Sequence, residues 1–190
     1  MKFPTLKTPS LILRKFGEKK TDIDDLVEGL NNIEVTKWLL LIPYPYTKKD
    51  AEKWIKYCQK NYRKKKKDSY EFAIELKEEK KLIGGFGLSK INKEQGTANV
   101  GYWLNQKYHR KGYGSEALKA VLDLAFRKLK LRRIEASVFA GNPSSGKLLE
   151  KFGAKQEGIK RKAKICKSDR KIKDELIYGL LREEHINTFL

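Results

Sequence analysis

Three apolar runs in quick succession, then a long amphipathic segment, then another apolar run, constrain this fold more than any other feature of the chain. SYEFAIEL (Ser69–Leu76), KLIGGFGLS (Lys81–Ser89) and TANVGYWL (Thr97–Leu104) read as strands separated by charged or polar turns. Gly112–Leu129 reads as a helix, with Leu118, Val121, Leu122 and Ala125 on one stripe and Leu129 a turn further on. RRIEASVFA (Arg132–Ala140) is a strand, and SSGKLLEKF (Ser144–Phe152) is a short helix stopped by Gly153. Two last strands fit around Gln156–Lys164 and Lys171–Leu181. Upstream lie an opening strand, SLILRKF (Ser10–Phe16), and a polar helical stretch, Thr21–Leu30. A helix follows from Lys48 to Arg63, with Ala51, Trp54, Ile55 and Cys58 on one face. The order β-α-α-β-β-β-α-β-α-β-β predicts an α/β protein with a mixed sheet and helices on both faces. No repeat or linker divides residues 1–190, so one domain is expected.

The surface chemistry is dominated by charge. Lys and Arg number 43 against 24 Asp and Glu, a net charge of +19. Such a charge favours acidic partners: nucleic acid, anionic membranes, phosphorylated cofactors or acidic proteins. A Lys- and Glu-rich chain with few Cys and Met is also what growth at high temperature selects, so two readings of the charge stay open. Cys58 and Cys166 form no C-x-x-C pattern, and His109 and His185 are the only histidines. Neither a disulfide scaffold nor a metal site is expected. No apolar run approaches the length of a membrane span, and MKFPTLKTPS lacks the apolar core of a signal peptide. The expectation is a cytoplasmic protein without a membrane partner.

Three segments match phosphate-binding signatures, all resting on the same physics. The first N–H groups of a helix lack intrahelical partners, the helix dipole adds partial positive charge, and glycine lets an anion approach the backbone. GYGSEA (Gly112–Ala117) fits the dinucleotide pattern G-x-G-x-x-A. However, NQKYHRK separates it from the strand that should lead into the first glycine, and Glu135 lies too early in its strand. GNPSSGK (Gly141–Lys147) fits G-x-x-x-x-G-K, but Leu148 stands where Ser or Thr must hold magnesium. The third is YHRKGYGSEAL (Tyr108–Leu118), where Arg110 and Lys111 precede Gly112 and Gly114 between a strand and a long helix.

This third segment resembles the pyrophosphate loop of the GNAT family of acetyl-CoA-dependent N-acetyltransferases, Arg/Gln-x-x-Gly-x-Gly/Ala, with His109 at the usual Arg/Gln position. The likeness continues along nearly the whole chain. SLILRKF, VGYWLNQKYHRKGYGSEAL, NPSSGKLLEKFGAKQEG and DELIYGLLREE resemble, in order, segments of the branch that acetylates ribosomal-protein N-termini. The resemblance implies a twisted sheet of about seven strands whose fourth and fifth members, here Thr97–Leu104 and Arg132–Ala140, splay apart. It implies direct attack of a primary amine on acetyl-CoA within a ternary complex, without a metal. The pantetheine arm would pair with the backbone of Trp103, Leu104 and Asn105 like an added strand. The pyrophosphate would rest on the loop His109, Arg110, Lys111, Gly112, Tyr113 and Gly114, with a hydroxyl from Ser115. Asn142 and Ser145 would line the other side of the cofactor.

Two catalytic roles are less settled by the resemblance. Many relatives protonate the leaving thiolate with a tyrosine in the helix after the asparagine, but here that position is Leu149. Ser145 is the candidate acid, with Tyr102 as a second candidate site residue. Many relatives also carry a glutamate just before Gly-Tyr, where this chain has Asn99, which cannot accept a proton. Glu71, Glu75 and Glu135 lie on strands whose faces the sequence does not fix, so the base is open. The acceptor argument follows from that. An α-amine titrates near 7.7–8.0 and a lysine near 10.4, which makes a protein N-terminus easier to deprotonate by roughly 3–4 kcal/mol. An acceptor on a lysine or a small molecule, such as a polyamine or aminoglycoside, is the alternative, although the net charge repels polycations.

Two further segments bear on partners. LLLIPYPYT (Leu39–Thr47) is a proline-held loop, and Tyr44 and Tyr46 are candidates to line the acceptor groove, against the reading that they close the core. KNYRKKKKDSY (Lys60–Tyr70) combines cations with flanking tyrosines, which suits RNA or ribosome association, against the reading of a solvated turn. A third class of function is a basic RNA-binding module on a catalytically weak scaffold.

Overall fold

The computed structural model describes residues 3–65 and 67–187, so Lys66 of the lysine block lies outside the described residues. Eight strands form one sheet: β1 (Leu6–Lys7), β2 (Leu11–Lys15), β3 (Tyr70–Leu76), β4 (Lys81–Asn92), β5 (Thr97–Leu104), β6 (Arg133–Phe139), β7 (Lys155–Ile165) and β8 (Ile172–Leu181). Their spatial order is β1-β2-β3-β4-β5-β6-β8-β7. Every pairing is antiparallel except β5 with β6. The mixed α/β fold is therefore as expected, with eight strands in place of about seven. The additional strand is β1, two residues long and too short to leave an alternation pattern.

The helices are α1 (Asp22–Leu30), α2 (Ile33–Thr36), α3 (Lys48–Arg63), α4 (Tyr113–Asp123), α5 (Pro143–Glu150) and α6 (Arg182–Asn187). Their ends follow local chemistry. At α3, Asp50 N–H donates to Thr47 Oγ1 at 3.3 Å and Thr47 N–H donates to Asp50 Oδ2 at 3.0 Å, a reciprocal cap. The helix expected over Gly112–Leu129 keeps α bonding only to Asp123 and widens into a π turn over Leu124–Lys128. Its apolar stripe is buried all the same. The last strand stops at Leu181, short of the expected resemblance through Glu184. Leu181 N–H donates to Glu184 Oε2 at 2.9 Å, and α6 begins there.

Strand alternation sorts side chains to two faces. Phe72, Phe86, Leu88 and Val100 pack with Leu118, Val121 and Leu122 of α4 in one core. Ala73 and Leu82 pack with Leu26, Leu30, Ala51, Ile55 and Cys58 of α1 and α3 in the other. The second face is pinned by Arg14 of β2. Its guanidinium bonds both oxygens of Asp22 at 2.7 and 2.8 Å and donates from Nε to Glu75 at 2.5 Å. Asp22 is 0% exposed and also accepts Gly17 N–H at 2.8 Å. Lys19 approaches the other Glu75 oxygen at 2.8 Å. The network ties β2, β3 and the start of α1 into one unit.

Removing a cation from such a cluster leaves buried carboxylates uncompensated. Arg14→Met should cost about 3–5 kcal/mol, read as a lower urea midpoint. Burial raises the Glu75 carboxyl, but hydrogen bonds from Lys19 and Arg14 outweigh it and hold it below the ordinary range. The contribution is therefore present at neutral pH and is lost as pH falls through the depressed folded-state value. The wild type should lose more stability on acidification than Arg14→Met does, measured by unfolding from pH 7 to pH 3.

Candidate active site

β5 and β6 pair only from Thr97↔Arg133 to Val100↔Ala136. Beyond that point each strand follows its outer neighbour. Gly101 to Leu104 stay on β4, from Gly101↔Gly87 to Leu104↔Gly84. Ser137 to Phe139 stay on β8, from Ser137↔Ile177 to Phe139↔Glu175. A gap thus opens inside the sheet, with β5 backbone on one side that has no ladder partner from β6.

The start of α4 lies beside this gap. Its N-cap is Gly112, at φ 85°, which has no side chain to cap the first N–H groups. Arg110 also lies in the left-handed region, at φ 61°. Left-handed residues alternating with helical ones turn successive N–H groups toward one point, a concavity suited to an anion. A Cβ at Gly112 would meet nothing within 4 Å, so the approach is open. Arg110 and Lys111 are exposed, with Lys111 Nζ 5.4 Å from the Tyr108 ring. Tyr113 begins the helix and tilts against Tyr108 at 6.4 Å. Ser115 accepts from Lys151 Nζ at 3.4 Å, which brings in a third cation from the end of α5. Nothing in the spacing of the sequence signals Lys151. These features fit a diphosphate.

The residues assigned to the strand end divide. Leu104 is partly exposed, and its carbonyl accepts from His109 Nε2 at 3.0 Å, so His109 fixes the strand end. The Trp103 ring turns to the α1 face, where a Cβ on Gly29 would lie 2.7 Å from it, leaving only its backbone toward the gap. Asn105 is a correction. It is 5% exposed, its N–H donates to Ile83 O at 2.8 Å, and its Oδ1 accepts from Lys107 N–H at 3.1 Å. Both groups are committed to closing the short turn after β5, so neither is free for a ligand.

Across the gap, Asn142 caps α5 by accepting from Ser145 N–H at 3.4 Å. The Tyr102 hydroxyl lies 2.9 Å from Ser145 Oγ and donates to Ser145 O at 3.2 Å. The two candidate catalytic side chains are thus joined, one from β5 and one from the helix after β6, on the α4 side of the gap. Burial pushes the Tyr102 hydroxyl up to about 12, so it carries its proton at neutral pH. Leu149 is buried in the core. Tyr44 is exposed and borders an open depression with Asn31, Asn32 and Gln106. Tyr46 is the second correction: at 3% exposure it packs with Leu30, Ala51 and Ile55 and cannot line a groove.

The three strand carboxylates separate as well. Glu75 belongs to the Arg14 network, and Glu135 accepts from Arg133 Nε at 3.0 Å. Glu71 has neither an ion-pair nor a hydrogen-bond partner for its carboxylate among the described residues. Burial alone raises it to about 7.

A parted parallel pair beside a bare, cation-flanked helix start leaves room within the sheet for an extended ligand that carries negative charge. The sequence matches the acetyltransferase (GNAT) domain over residues 10–155, and the chain belongs to that family. It is 33% identical over 181 residues to the uncharacterized N-acetyltransferase p20 of Bacillus licheniformis, covering 95% of this chain and 98% of that protein. Over 87 residues, 46% of this chain and 49% of the other, it is 30% identical to the ribosomal-protein-serine acetyltransferase of Escherichia coli. Among solved structures, a GNAT-family acetyltransferase from Bacillus anthracis superposes with a TM-score of 0.79 at 29% identity, covering 95% of this chain and all of that one. The protein is an N-acetyltransferase of a family that uses acetyl-CoA. Among the described residues no helix is long and apolar enough to cross a membrane.

The helix start can be tested without disturbing the fold. A Cβ at Gly114 would meet Leu148 at 3.4 Å and Leu104 at 3.6 Å, ordinary contacts. Gly114→Ala should keep its melting temperature within a few degrees while weakening CoA binding by about tenfold or more, measured by isothermal titration.

Proposed function

We propose that the protein transfers acetyl from acetyl-CoA to the α-amine of a protein N-terminus, by direct attack in a ternary complex in the cytoplasm. The observation that carries this reading is the gap, which joins the bare start of α4 to the opposite, α1/α3 face of the sheet. The donor's diphosphate rests on the N–H groups of residues 110–114, and its arm lies along β5 from Trp103 to Leu104. Asn142 and Ser145 border it on the other side. Tyr102, hydrogen-bonded to Ser145 and protonated at neutral pH, is placed to neutralise the departing thiolate.

The acceptor class is supported by charge. At the far end of β6, Lys173 Nζ lies 5.2 Å from the rings of both Trp38 and Phe139. Two carboxylates of this region are already engaged: Glu34 by Lys37 at 2.5 Å and Asp169 by Lys173 at 2.8 Å. A polyamine would meet cations and paired acids there, whereas an N-terminus brings one modest charge. The relative that acts on ribosomal protein is in keeping with an acceptor of that kind. The RNA-binding reading loses its stacking partners, because Tyr70 is buried in the core and the Tyr62 hydroxyl is turned inward to Glu71 O at 2.7 Å. Ribosome association would rest on the net charge of +19 alone.

Thiol release from acetyl-CoA should be at least about tenfold faster in kcat/KM with peptides bearing free N-termini than with lysine side chains or spermidine. A preference for polyamines or aminoglycosides would overturn the acceptor assignment. RNA binding without thiol release from any amine would overturn the enzymatic reading itself. Tyr102→Phe should lower kcat by about 10–100-fold while leaving CoA affinity within about twofold, separating proton donation from cofactor binding.

A further inference from the structure

On the α1/α3 face, three residues stand side by side across β3, β4 and β5. The register pairs Glu71 with Gly87 and Gly87 with Gly101. Directly paired residues project to the same face, so Glu71 extends its side chain along a row in which the next two strands contribute no side chain at all. A Cβ on Gly87 would lie 2.6 Å from Glu71 Oε2, so the carboxylate sits over Gly87. Gly101 is exposed, with nothing within 4 Å of where its Cβ would be. It is also the first β5 residue beyond the last β5–β6 pair, at the start of the gap. The trough is local to this row, because at the next position on that face, Gly85, the space is filled by the Trp103 ring, 2.6 Å from a Cβ there. Neighbouring strands are about 4.8 Å apart, so one water spans the distance from the carboxylate to a group above Gly101.

We propose that Glu71 is the general base of the acetyl transfer, taking the acceptor amine's proton through one water in the trough over Gly87 and Gly101. This rests on the reading that the acceptor is a primary amine arriving from the α1/α3 face. The acceptor arrives as an ammonium, and one proton passes through the water to Glu71. The freed nitrogen lone pair forms the N–C bond to the acetyl carbon, the C–S bond breaks, and its electrons go to sulfur. Tyr102, across the gap, gives its proton to the thiolate and is restored by the second proton of the nitrogen. Glu71 then releases its proton to solvent.

The surroundings suit the role. The titratable groups that face Glu71 are Cys58 and Tyr62 of α3, and burial pushes both upward, so both stay neutral. β4 and β5 contribute glycines, and no charged group offsets the burial of the carboxylate. A base near 7 takes a proton from an α-amine at 7.7–8.0 with little cost, and from a lysine at 10.4 with a cost of about three pK units.

The experiment is a pH profile of thiol release with an N-terminal peptide, for wild type, Glu71→Gln and Gly101→Val. Below pH 7, log kcat/KM of the wild type should rise with a slope of about one and level near pH 7, because the acceptor arrives as an ammonium and only the base must already have lost its proton. Glu71→Gln should lose about 100-fold or more in kcat, and its limb should level instead near the amine's own 7.7–8.0, with CoA affinity unchanged. Gly101→Val enters open space, so it folds, and it should lose activity by separating the carboxylate from the gap. A Glu71→Gln enzyme within about threefold of wild type, with the same acid limb, would overturn the assignment. Should that variant fail to fold, full activity in Gly101→Val would overturn it. No thiol release by the wild type with any amine would instead overturn the acetyl-transfer reading on which the inference stands.

Discussion

The parting of β5 from β6 after Val100 and Ala136 is the constraint from which the rest of this molecule follows. Two parallel strands in mid-sheet normally satisfy each other along their length. Here each keeps its bonds to the outer neighbour and releases the inner one. The released β5 edge is what an extended donor can occupy, and the gap opens where β5–β6 pairing stops. Because β5 and β6 run parallel, a crossover must connect them, and α4 is its helix. The same topology that makes the gap therefore sets a helix start beside it. The glycine N-cap leaves that start bare, and Arg110, Lys111 and Lys151 surround it with positive charge.

The two sides of the gap carry different chemistry. On the α4 side, Tyr102 and Ser145 form a short hydroxyl pair bridging β5 and α5. On the α1/α3 side, the glycines of β4 and β5 clear a path to one partly buried carboxylate. Strand alternation alone divides them: Tyr102 and Gly101 are adjacent in sequence and face opposite ways. In the proposed mechanism the acid lies on one face and the base on the other, with the reacting bond between, which keeps the two groups from neutralising each other.

Much of this was legible in the residues because it depends on local pattern. The strand and helix order, the glycine-bearing helix start and the Asn142–Ser145 cap each leave a signature within a few positions. What was not legible depends on register or on distant partners. Tyr44 and Tyr46 look equivalent in LLLIPYPYT, yet one borders solvent and the other fills the core beneath α3. Asn105 looks like the end of a ligand-binding strand, but Ile83 and Lys107 claim its groups. Lys151 is 36 residues from Ser115 and meets it only through packing. The β1 strand and the π turn after Asp123 leave no period to read.

The proposed general base shows the limit most clearly. Asn99 stands where a glutamate is usual in similar proteins, and from sequence that reads as a missing catalytic group. In the sheet, position on a strand matters less than position on a face. Asn99 and Gly101 share the α1/α3 face, and so do Glu71 and Gly87 through the register. A carboxylate two strands away becomes a neighbour of the gap once the strands between carry no side chains. The sequence contains both glycines, but each alone reads as a weak spot in a strand. Only the pairing Glu71↔Gly87↔Gly101 turns two absent side chains into a route for a proton.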